Sequence, residues 1–131
     1  MRRALLLLAV LCLAFAPAPF PRPDRRPGSA DLKAMQGEWV TDNGLVEARF
    51  ERDRVSYYRK GALVHVYRVT LDTFAKPKAF DLAGADGRNY QGIYSLEKDT
   101  LTMYSRGPRD PRPTAFKASD EYQEVMKRKK P

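Results

Sequence analysis

The sequence predicts an all-β fold, a small antiparallel barrel of about eight strands with one short helix ahead of the first strand. Three observations carry this reading. From residue 38 onward apolar and polar residues alternate with period two, as strands with one buried face require. Short turn signals recur between these runs, at Arg52-Asp53, Lys60-Gly61 and Glu97-Lys98-Asp99. The runs leave no room for crossover helices, so consecutive strands pair antiparallel. Closing such a sheet removes its edges and leaves an interior for side chains or one small ligand. An open sheet or small sandwich is the other arrangement of the same strands.

The elements follow in order. A short helix is expected over 31–36, capped by Ser29 or Asp31 and ended by Gly37. The first strand runs over 38–41. Asp42-Asn43-Gly44 then turns the chain, because Asn-Gly readily takes positive φ at both central positions. In the strand 45–51, Val46, Ala48 and Phe50 face one way and Glu47, Arg49 and Glu51 the other. Further strands are expected at 55–59, 63–71, 78–82, 90–96 and 100–104, and 121–128 closes the domain.

Ahead of the domain, Met1-Arg2-Arg3 and the apolar run 4–16 have the layout of a secretory signal peptide, with small residues at Ala14, Ala16 and Ala18. Residues 1–18 are read as that signal peptide. Proline follows both candidate cut sites, which leaves an uncleaved anchor as the alternative. Residues 19–29 form a Pro/Arg-rich linker, extended and solvated, and 30–131 form the domain. Cys12, the single cysteine, lies in the leader, so the domain is held by its core without disulfides. The expected location is outside the cytoplasm: periplasm, envelope or extracellular space.

The formal charge of +8 sits at the two ends. Residues 1–30 carry five arginines against Asp24, a net of +4, and Lys127-Arg128-Lys129-Lys130 supply the other +4. The body between them is balanced, and a basic tail is usually a solvated end. With no recognition motif beside the charges, nucleic acid is not an expected partner. The domain is expected to be a soluble monomer that touches a membrane only through an uncleaved leader.

Gly37-Glu38-Trp39 at the start of the first strand matches the Gly-x-Trp pattern of lipocalins. With the segments 32–39, 76–82, 92–101, 112–116 and the strand closing at Arg128, the chain resembles a family of small lipocalin-like domains abundant in planctomycete bacteria. The resemblance implies a lipocalin-like barrel and frequent export, and no agreed activity. It also implies that Trp39 closes one barrel end with Arg128 packed over it, a structural cation–π pair, while Gly37 belongs to the same motif. The chain is short for a lipocalin and lacks the usual C-terminal helix.

No Gly-rich phosphate loop, metal motif or calcium loop is present, so no cofactor or metal is expected. His65, the single histidine, alternates with Leu63, Tyr67, Val69 and Leu71 on the expected interior face. It reads either as a core histidine bonded to a tyrosine or a carbonyl, or as a ligand contact. Triads and zinc sites lack their partners. The acidic residues fall mostly in turns or on outward faces, as Asp53, Asp86 and Asp99 do, so paired catalytic carboxylates are not indicated. Tyr57 and Tyr67 fall with apolar neighbours, as do Tyr90 and Tyr94 with Gly92 and Leu96. Such tyrosines grip a small ligand or bond each other in a filled barrel. The long connection 105–120 carries Arg106, Arg109 and Arg112, which either hold an anion at the barrel mouth or belong to a rigid cover packed by Phe116.

The leading expectation is a non-enzymatic exported module that binds a small apolar or anionic ligand, or an envelope protein, through His65, Tyr67, Tyr94, Arg106, Arg109 and Arg112. The alternative is an interaction domain with a filled barrel and no ligand. An enzyme is the third reading.

Overall fold

In the computed structural model, which describes residues 28–130, one short helix precedes a closed barrel of eight antiparallel strands. The order is α1 (Ser29–Met35), β1 (Gly37–Thr41), β2 (Val46–Glu51), β3 (Arg54–Arg59), β4 (Ala62–Asp72), β5 (Ala79–Gly84), β6 (Asn89–Glu97), β7 (Thr100–Ser105) and β8 (Gln123–Arg128). Every strand pairs with its sequence neighbour, and β1 pairs with β8 to close the ring, with Trp39 opposite Arg128. The expected leader, and the linker as far as residue 27, lie outside the described residues. No described helix is long and apolar enough to cross a membrane.

The alternation in β2 holds: Ala48 and Phe50 are buried, and Val46 follows them on the inner face. Two-residue turns join β2–β3 and β3–β4 at the expected pairs, and β6–β7 at Lys98-Asp99, Glu97 of the expected three-residue turn being the last residue of β6. Arg52, Lys60 and Lys98 each open a turn in the left-handed region, and Gly61 continues it after Lys60. The β1–β2 turn differs from expectation. Only Gly44 has positive φ, and the loop takes four residues. The Asn43 side chain organises it, its Oδ1 accepting from Thr41 Oγ1 and from the Leu45 backbone N–H.

A register shift between Tyr57 and Tyr58 interrupts the β3–β4 pairing, since Tyr57 faces His65 but Tyr58 faces Leu63. Val64 is the extra residue. A bulge of this kind breaks the period-two rule locally, and the expected inner face of β4 therefore fails at its start. Leu63 is 56% exposed, whereas Tyr67, Val69 and Leu71 are buried as expected.

α1 plugs one barrel end. Its cap is Gly28, with φ of 88°, and no side chain caps it. A Cβ at Gly28 would meet the Leu71 Cβ at 2.5 Å, so only glycine permits this approach. Asp31, expected as a cap, instead accepts hydrogen bonds from Tyr94 Oη at 2.7 Å and Lys78 Nζ at 3.0 Å. Gln36 ties the helix end to the β2–β3 hairpin, donating to Arg52 O and Leu32 O and accepting from the Arg52 N–H.

Trp39 is fully buried here and donates from Nε1 to Met35 O at 2.8 Å. The Arg128 guanidinium lies 4.4 Å from its ring centroid. Arg128 also donates to Gln36 O, Ala34 O and Asp99 Oδ1. It thus satisfies carbonyls that the end of α1 leaves free, and its charge opposes the helix dipole. Gly37, with φ of 115°, brings the chain from the helix into β1 beneath that guanidinium.

Candidate functional site

The other barrel end is open. Inner-face residues of seven strands, β2 to β8, surround a cavity of about 510 Å³, within the range of small-ligand pockets. Phe80, Leu82 and Met103 form its apolar floor, continuous with the core. Gly92 makes room for that floor, because a Cβ there would sit 2.2 Å from Phe80 Cζ. Above it stands a chain of aromatic rings. Tyr57 and Tyr67 meet edge to face at 5.9 Å, and Tyr67 and Tyr90 do so at 5.6 Å. Tyr57 Oη contacts the Met103 sulfur. Burial, the Tyr90 hydroxyl and the Asp86 carboxylate push the Tyr67 hydroxyl up to about 12, with Arg88 opposing. Burial first, then Glu124 and Tyr67, push the Tyr57 hydroxyl higher still.

The cavity also holds a carboxylate. Glu124 sits in β8 opposite Met103, one inward position above the fully buried Met126. It lines the cavity, and it has no hydrogen bond or ion pair among the described residues. Burial raises its pKa, while the Arg59 guanidinium at the rim opposes that rise more weakly. The chain matches no family model, no curated protein and no solved structure. What this site does must therefore be argued from its own side chains.

The structure divides the expected site residues in two. His65, Tyr67 and Arg106 line the cavity. His65 is exposed at the mouth, its ring 5.7 Å from Tyr67, and is not the core histidine expected from the alternation. It keeps the inward parity of Tyr67, and the register shift at Val64 comes just before it. Arg106 is also a rim group, 4.0 Å from Asp120.

Tyr94, Arg109 and Arg112 are not in the cavity. Tyr94 does point inward, but at the opposite end, where it anchors α1 through Asp31. Arg109 is exposed beyond the mouth. Arg112 grips the outside of the barrel. Its Nη1 donates to Phe80 O at 2.8 Å and Gly92 O at 2.7 Å, and its Nη2 to Asp81 Oδ1 at 2.7 Å. The connection after β7 leaves the mouth and crosses the outer face over Ile93 and Tyr104, which are buried although they alternate with inward residues. Tyr104 Oη donates to Asp120, which raises the tyrosine pKa and lowers that of the acid. Phe116, expected to pack this cover, is 39% exposed. The cover is held by polar anchors.

Glu124 is the residue that the sequence reading missed. Its signal was present: placing Arg128 inside against Trp39 puts Met126 and Glu124 on the same face by period two. Arg59 follows from Val55 and Tyr57 in the same way.

An unpaired acid in a cavity costs stability. A pKa raised by folding means that stability is fully present below the unfolded value and is lost as pH rises through the folded one. Glu124→Gln should therefore raise the melting temperature by a few degrees at neutral pH. The gap should close below about pH 4, where the carboxyl is protonated folded or unfolded. Parallel thermal melts across that range check this, and a gap that persists in acid would refute it.

Proposed function

We propose that this domain is a non-enzymatic binding module of the lipocalin-like kind, which takes a small organic ligand into the open end of its barrel. The observation that carries the reading is the cavity itself, with an apolar floor, a wall of three tyrosines and a carboxylate with no partner in the described fold. Apolar surface supplies affinity and a few fixed polar groups supply orientation. The helix-plugged end leaves the opposite mouth as the route of access. An uncharged solvatochromic dye, Nile red, tests the reading. The native domain should bind one dye with a rise in fluorescence, and Leu82→Trp, which fills the floor, should abolish it. A native domain that does not take up the dye would mean that the barrel holds no ligand.

A second reading, an interaction domain for an envelope protein, is favoured by exposed Leu63, Val64 and Val66 along β4, which are 56%, 47% and 42% exposed. Both readings sit with export through the apolar leader. A full-length fusion to a reporter active only outside the cytoplasm should give signal, and deletion of residues 2–16 should remove it.

A further inference from the structure

We propose that the cavity selects an organic cation, an alkyl- or arylammonium whose charged head lies against the Glu124 carboxylate and the Tyr57 and Tyr67 rings. The inference rests on the binding reading above and names the ligand chemistry of the same site. Three observations lead to it.

First, Glu124 is an acid of β8 that faces the cavity, opposite Met103 in the register and two residues before the fully buried Met126, and the cavity floor beside it is apolar. A carboxylate held partly out of water gains most from a charged donor brought to it. No described side chain fills that role, since Arg59 stands at the rim without forming an ion pair. Second, the acid acts on Tyr57, and Tyr57 begins a run of rings in the same cavity, in edge-to-face contact with Tyr67 as Tyr67 is with Tyr90. Tyrosine rings attract an ammonium through their quadrupoles, and several rings beside one acid are the usual environment of a bound ammonium group. Third, of the arginines that would suit an anion, those of the connection after β7 are engaged or elsewhere, and Arg59, at the rim, stands near the acid itself. Arg112 is spent on two backbone carbonyls and Asp81 outside the barrel, and Arg106 faces Asp120. An anionic head drawn to Arg59 would meet the Glu124 carboxylate beside it.

Arg59 gives the proposal its sharpest test. It shares the inner face with Tyr57 and is the charge that Glu124 feels most. A bound ammonium competes with it for the same carboxylate, so removing Arg59 should strengthen cation binding.

Three probes with one ring and different heads separate the outcomes: 2-phenylethylammonium, 2-phenylethanol and 3-phenylpropanoate, each displacing Nile red from the native domain at pH 7.5. The ammonium should displace the dye at concentrations about tenfold or more below the alcohol, and the carboxylate should be weakest. Glu124→Gln should erase most of the preference for ammonium over alcohol, and Arg59→Gln should enlarge it. Circular dichroism confirms that each variant is folded; should Glu124→Gln not fold, the Arg59→Gln shift decides. Equal affinity for ammonium and alcohol, a preference for the carboxylate, or an ammonium preference that survives Glu124→Gln would each overturn the cation assignment while the dye still reports a binding cavity. Failure of the native domain to bind the dye would remove the cavity reading and this inference together.

Discussion

Trp39→Ala should lower the free energy of unfolding by about 3–5 kcal/mol. The indole is fully buried at the plugged end, and its loss opens a void bounded by Met35 and the inner strands. Its Nε1 bond to Met35 O is lost as well, which frees one of the last carbonyls of α1. Arg128→Ala should cost less, about 2–3 kcal/mol, through the Gln36, Ala34 and Asp99 contacts. Because the guanidinium stacks on the indole and both hold the same helix end, the double variant should fall short of the sum by about 1 kcal/mol or more. Urea titration of the four proteins completes the cycle. Strict additivity would mean that the stacked pair contributes nothing beyond its separate contacts.

Arg112→Gln should destabilise the domain by about 1.5–3 kcal/mol, whereas Arg106→Gln and Arg109→Gln should each stay within about 0.5 kcal/mol of the native protein. The contrast follows from what each guanidinium touches. Arg112 bridges the carbonyls of Phe80 and Gly92, which are register partners in β5 and β6, and pairs with Asp81 beside them. Shortening it leaves two carbonyls poorly satisfied under the connection and loosens the cover over Ile93 and Tyr104. Arg106 and Arg109 are exposed, and ion pairs at the surface are worth little. For a domain of this size the Arg112 change corresponds to roughly 4–8 °C of melting temperature per kcal/mol. Equal melting of the three variants would show that Arg112 does not hold the barrel wall. Amide exchange that quickens only at Ile93 and Tyr104 in Arg112→Gln would show the cover lifting.

The order, type and number of strands were legible because period-two alternation and two-residue turns are local properties. Val46, Ala48 and Phe50 alternate whatever they later pack against, and Lys60-Gly61 turns the chain through its own backbone preferences. The Trp39–Arg128 pair was legible through a motif and not through physics, since its two members lie at opposite ends of the domain and meet only when β1 pairs with β8.

The site was legible in part. Tyr67 keeps the parity of β4 and reaches the cavity. Leu63 does not behave as that parity demands, because Val64 bulges between it and His65 and no turn residue announces the bulge, while His65 keeps the parity of Tyr67 but stands exposed at the mouth. Alternation placed Tyr94 on the correct face, but it says nothing of depth, and depth decides between a ligand wall and a helix anchor. The three arginines share one loop in the sequence; in space one stands at the rim, one in solvent and one clamps the outer wall.

Sequence alone therefore determined what short-range chemistry controls: an all-β chain, its turns, the two faces of each strand and the residue types available to the interior. Tertiary structure alone decided which end is plugged, which inward residues stand at the open one, and that Glu124 lines the cavity there. The physical reason is closure. A ring of eight strands brings β8 beside both β7 and β1, so Glu124 comes to face Tyr57 across a cavity that no local pattern encodes.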